Sequence, residues 1–122
     1  MTAKMAAIVI GIVFVLIGLL GFFNNPVLGL FEVNAAHNVV HILAGVVLLA
    51  GAYTTLGASM ALKIIGVVYA IIAILGFFMV SDGMLLGFIA HNPADLWLHV
   101  ALAVVILLAG FLLPDDEKGM AM

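Results

Sequence analysis

The sequence predicts an all-α fold, an integral membrane four-helix bundle, on three observations. Hydrophobic residues make up 68% of the chain and charged residues 7%, far below the quarter or so that a soluble domain carries. The apolar residues fall into four stretches, 5–23, 35–53, 61–80 and 94–113, each close to the roughly 20 residues that cross a hydrocarbon core as a helix. The stretches also pair, because residues 3–53 and 58–113 align as two copies of one helix–loop–helix unit. Residues 1–122 are read as a single transmembrane domain with a tail at 114–122.

The first stretch follows Lys4 and has the outline of a signal peptide, but its apolar run is long and Gly21-Phe22-Phe23-Asn24-Asn25 is a poor cleavage site. It is read as a retained span. Four spans place both termini and segment 54–60 on one side of the bilayer. Lys4, Lys63 and Lys118 all fall there, and the other two loops carry no lysine or arginine. The positive side faces the cytoplasm, so the expected location is the cell's inner membrane with both termini cytoplasmic. The acidic run Asp115-Asp116-Glu117 weighs little in that rule. Three scattered lysines give no basic patch, which excludes nucleic acid as a partner. The absence of cysteine excludes disulfides and thiolate metal sites.

The repeat is carried by its glycine and polar matches. Gly11 aligns with Gly66, Gly21 with Gly76, and Leu28-Gly29 with Leu86-Gly87; Asn34, His37 and His41 align with Asn92, Asp95 and His99. Each copy has two spans, so both copies face the same way and a pseudo-two-fold axis is expected along the membrane normal. Glycine and alanine at helical spacing suit close helix packing in lipid. Gly45, Gly51, Ala101, Ala103 and Gly110 exceed what one bundle needs, and they predict docking of other membrane chains.

Asn34 and Asn92 each precede an apolar helix and suit the N-cap, whose side chain accepts from an orphan backbone N–H. Pro93 fits the first helical position, and Asp95 completes a capping box. His37 holds the matching place in the first copy. His41 and His99 lie seven residues beyond their caps, roughly 10 Å down the helix at 1.5 Å per residue. Ionisable groups at such depth face the bundle interior. Their plainest role is a hydrogen bond across the bundle, to Asn38 or a loop carbonyl. A facing pair also suits axial ligation of haem or of a chlorin magnesium, and His37 with His41 and His99 suits Zn²⁺ or Cu²⁺.

Segments 24–34 and 81–93 are too apolar for free loops. Interfacial or re-entrant segments covered by protein are expected, with Glu32, Asp82 and His91 turned to water and Trp97 in an aromatic belt.

Gly29-Leu-Phe-Glu-Val-Asn34-Ala-Ala-His37-Asn-Val-Val-His41, followed by Gly45, resembles the signature of the bacterial four-span membrane proteins of the domain of unknown function 4383 family. Asn92-Pro-Ala-Asp95-Leu-Trp97-Leu-His99 resembles that family's second signature, departing at Leu96 and in an alanine-rich fourth helix. The resemblance spans nearly the whole chain and implies a fold and a set of polar positions. It implies no activity.

No catalytic constellation stands in the sequence, so the expected function is that of a non-enzymatic interaction or accessory subunit of a larger membrane complex. The alternative is a tetrapyrrole- or metal-binding module at His41, His99 and His37. A small transporter of the multidrug type is the third reading, and it lacks the carboxylate such proteins need in the first span.

Overall fold

The computed structural model describes residues 1–114; Lys118, the acidic run and most of the expected tail lie outside the described residues. The four helices are α1 (Ala3–Leu20), α2 (Ala35–Tyr53), α3 (Ala58–Phe78) and α4 (Pro93–Leu112). All four are long and apolar enough to cross a membrane. Their starts follow from local chemistry. Thr2 caps α1 by accepting from the Met5 N–H at 3.2 Å, and Gly57, at φ 89°, leads into α3 three residues before the expected start. Asn34 accepts from the His37 N–H and Asn92 from the Asp95 N–H, each at 2.9 Å. The Asp95 carboxylate accepts in return from the Asn92 N–H at 3.0 Å, which closes the capping box.

Helix α1 packs chiefly on α2 and α3 chiefly on α4, while α1 and α4 touch sparingly. Apolar side chains face both ways. Val9, Ile12, Leu16, Ile71, Ile74 and Leu108 are among a wide exposed belt that suits acyl chains. The inner half of the core is small and aliphatic, with Ala3, Ala7, Leu48, Ala61 and Leu62 fully buried. A Cβ on Gly45 would lie 2.6 Å from the Gly11 carbonyl oxygen, so α1 and α2 meet backbone to backbone. Close approach of this kind drives helix association where lipid supplies no hydrophobic force. Gly51, Ala103 and Gly110 are likewise buried within the bundle, and of the small residues expected to receive partner helices only Ala101 is exposed. The Ala3 N–H donates to the Pro114 carbonyl at 3.1 Å, which ties the start of α1 to the end of α4. At that end Lys4 lies over the Tyr53 ring and Lys63 over the Phe111 ring.

The outer connections are hairpins rather than re-entrant stretches. Residues 80–90 form a three-stranded antiparallel sheet, β1 (Val80–Ser81), β2 (Met84–Leu85) and β3 (Ile89–Ala90). Asp82-Gly83 and Leu86-Gly87 both have positive φ at each residue, the type I′ pattern that matches strand twist. Leu28-Gly29 repeats it in the first connection, beside a Val27–Phe31 bridge. Val27, Val33, Leu85 and Ala90 are buried, so the connections form a lid over the outer end of the bundle.

Candidate functional site: a buried histidine cluster

Six polar side chains are buried among the described residues: His37, Asn38, His41, His91, Asp95 and His99. All sit under the lid at the outer end. Helix α2 supplies His37 and His41 one turn apart, with Asn38 beside His37, and α4 supplies Asp95 and His99 with the same four-residue spacing. The ring centres of His37 lie 6.4 Å from His41 and 5.7 Å from His99. His91 adds a fourth imidazole, 5.3 Å from His99.

His91 corrects an expectation, since it is 3% exposed rather than turned to water. It occupies the position just before the α4 N-cap, where a residue packs inward against the fourth residue of the helix as a staple. The residue at that fourth position is Leu96. Gly76 makes room for both, because a Cβ there would meet Leu96 at 2.8 Å and the His91 ring at 3.2 Å. The same logic operates on the other side, where a Cβ on Gly21 would collide with the Asn38 side chain. The staple position and the glycine facing it were both readable in the sequence.

The hydrogen bonds fix ring orientations. His37 donates through Nδ1 to the Ala90 carbonyl at 2.7 Å, and His41 donates through Nδ1 to the Phe14 carbonyl at 2.9 Å. The loop carbonyl thus belongs to His37, and His41 takes a carbonyl of α1. A carbonyl oxygen only accepts, so Nδ1 of each ring carries the proton and a neutral ring keeps its lone pair on Nε2. Two other ring nitrogens, His91 Nε2 and His99 Nδ1, are buried without a partner. An unmet buried polar group of this kind costs about 1–3 kcal/mol. His91 lies outside the spans, and burial, followed by the nearby His37, holds its pKa below the ordinary 6.5. Aromatic rings complete the centre: His41 stacks on Phe14, Phe14 meets Tyr69 edge-on, and Tyr69 meets His99 edge-on, at 4.4, 5.4 and 5.5 Å. Trp97 stands apart, exposed against Phe77 on the lipid side.

Three spaces adjoin the cluster. A cavity of about 30 Å³ is lined by His37, Asn38, His41, Asp95 and His99, with apolar walls that include Ile17, Val27, Phe31 and Leu98. An apolar groove of about 170 Å³ runs between α1 and α4, lined by Val13, Phe14, Ile17, Leu98 and Leu102, and reaches His41. A cleft of about 330 Å³ at the outer face joins Glu32, Asn92 and His91. The cavity exceeds the roughly 10–15 Å³ that one water molecule needs, so it has room for a water or another small polar group. A tetrapyrrole, haem or chlorin, is many times larger and does not fit between His41 and His99. No group of three histidine, aspartate or glutamate side chains among the described residues converges to hold a metal ion.

No curated protein and no solved structure matches the chain. The model of one family, a domain of unknown function (DUF4383), matches residues 4–112, and with nearly all of its length matched the chain belongs to that family.

Proposed function

We propose that this chain is a non-enzymatic binding module of the membrane, which takes the polar head of a lipid-soluble molecule into the histidine cavity and its apolar tail into the groove between α1 and α4. The observation that supports this is adjacency. The polar cavity and the apolar groove share Ile17, Val27, Phe31, His41 and Leu98 as walls, so the two spaces lie side by side with His41 bordering both. Val13 and Leu28 are exposed at the groove's outer side. A polar end inside an apolar sleeve is the usual form of a small-molecule site. Docking against other membrane chains, the expectation for an accessory subunit, draws on small residues at the lipid face, and Ala101 alone of the five is there.

The duplication of a two-helix unit is part of the same proposal. Residues that the alignment pairs make matching contacts: Asn34 to Phe88 and Asn92 to Leu30, Phe14 to His41 and Tyr69 to His99. An inner-membrane location with cytoplasmic termini is supported by Lys4 and Lys63, which gather at one end of the bundle.

The test is native mass spectrometry of the protein released from nanodiscs of its own membrane. Wild type is expected to carry one apolar small molecule, and Leu102→Trp, which fills the groove from a half-buried position, none. Equal loads on a folded variant would contradict the reading.

A further inference from the structure

We infer that the cleft at the outer face is a second binding site, for a small organic ammonium whose charge pairs with Glu32 and whose apolar part lies on Val80, Pro93 and Leu96. The cleft shares no wall residue with the histidine cavity or with the groove between α1 and α4, so this site stands apart from the one proposed above. Its volume of about 330 Å³ falls within the roughly 300–1,000 Å³ of small-molecule sites. Val80, Pro93 and Leu96 give it apolar walls, and Glu32 is the acidic residue among them.

Charge selects the ligand class. Glu32 is exposed, and its carboxylate lies close enough to the Asp95 carboxyl for the two charges to interact, which puts it at the α4 end of the cleft. Burial holds the pKa of His91, the other ionisable wall residue, below 6.5, so its ring is uncharged at neutral pH. Among the described residues the two lysines, Lys4 and Lys63, sit at the opposite end of the bundle over Tyr53 and Phe111. Glu32 therefore meets no basic side chain within the described fold, and a cation from outside supplies the missing charge. A helix N-terminus beside a cleft ordinarily favours an anion. Here that end of α4 is closed by its own cap: the Asp95 carboxylate accepts from the Asn92 N–H, Asn92 Oδ1 accepts from the Asp95 N–H, and Pro93 has no N–H. The Asn92 amide donates to the Leu30 carbonyl, and the His91 backbone N–H donates to the Gly83 carbonyl. With these donors engaged, the wall presents one carboxylate and apolar surface, which suits an ammonium carrying a hydrocarbon group. A soluble amine and the ammonium head of a phospholipid present that same group at the outer interface.

The experiment titrates the full chain, leucine- and valine-methyl-labelled, in nonionic detergent with benzylammonium and, separately, with benzyl alcohol, its uncharged analogue. Benzylammonium is expected to shift the Val80 and Leu96 methyls saturably and to bind about fivefold more tightly than the alcohol, the factor for one favourable exposed ion pair. Glu32→Gln, at an exposed position, should erase that difference, while the wild-type comparison stands without any variant. Competition by added phosphatidylethanolamine, and not by phosphatidylglycerol, would support the site with a lipid head as its ammonium. Saturable binding without such competition would support it with a soluble amine. Equal affinities of the two probes in wild type, or the same preference in Glu32→Gln, would overturn the ammonium assignment. Saturation by neither probe would overturn the site itself, and the Leu102 methyl in the groove would report separately on the reading above.

Discussion

Asn34 and Asn92 each cap one helix and hold the other half of the lid. The Oδ1 of Asn34 accepts from the His37 N–H, and its Nδ2 donates across the molecule to the Phe88 carbonyl at 2.9 Å. Asn92 does the same with the Asp95 N–H and the Leu30 carbonyl, the latter at 2.8 Å. One amide therefore sets the start of a helix and the position of the opposite loop above the histidines.

Substitution separates the two roles. Asn34→Ala or Asn92→Ala loses the cap, about 1 kcal/mol, and the cross-tie, about 1 kcal/mol more. Asn→Asp keeps the capping oxygen and loses only the donor. Thermal unfolding in detergent should rank wild type above the aspartate variant and that above alanine. Equal stability of the aspartate and alanine variants would remove the cross-tie from the account.

Gly45 and Ala101 make opposite predictions. A side chain at Gly45 enters the α1 backbone, so Gly45→Leu should prevent assembly of the bundle, beyond the 1–3 kcal/mol typical of overpacking. Ala101 is exposed, and Ala101→Leu should change stability by less than about 0.5 kcal/mol. Size-exclusion chromatography and helical circular dichroism distinguish the two. A well-folded Gly45→Leu protein would mean that the α1–α2 contact is not as close as described.

Four spans, their capping asparagines and the inward depth of His41 and His99 were legible because each depends on local signals, namely hydrophobic length, N-cap chemistry and helical rise. The lid was less so. Asp82-Gly83 between apolar residues is a hairpin signal, but Leu28-Gly29 and Leu86-Gly87 place leucine at positive φ, which composition does not announce. The fate of the small residues was not legible either, since an apolar helix carries no polar face to tell its inside from its outside. Whether Gly51 or Ala101 meets protein is decided by tertiary contact. His91 was misplaced because a histidine in a loop reads as solvated unless the staple position and Gly76 are considered together.

His91 gives the protein a pH dependence of known sign. Its pKa is held below 6.5 in the fold, so below pH 6.5 the unfolded chain binds the proton first and stability falls. The effect is absent above that pH and grows as pH drops toward the lowered value. The groups that face it are the His37 and His99 rings and, across the outer cleft, Glu32. Melting temperatures measured from pH 8 to pH 5 should decline on the acid side, and His91→Gln should remove part of the decline. Identical slopes in the two proteins would show that His91 is not the titrating group.

Orientation is tested with a reporter that is active only in the periplasm. Fused after Met122 it should stay silent, and inserted after Asp82 it should be active. The reverse pattern would place the lysine end outside and the histidine cluster at the cytoplasmic face.

The most direct test of the account is the location of a bound probe in the membrane. Membranes containing the protein are photolabelled with an alkyl phenol that carries a diazirine on its chain, and the modified residues are mapped by peptide mass spectrometry. The account predicts adducts concentrated on Val13, Phe14, Leu98 and Leu102, suppressed by excess unlabelled 4-hexylphenol and absent in Leu102→Trp. Adducts spread evenly over lipid-facing residues such as Leu16, Ile74 and Leu108, and unaffected by the competitor, would show that the probe only dissolves in the bilayer and that the groove is not a binding site.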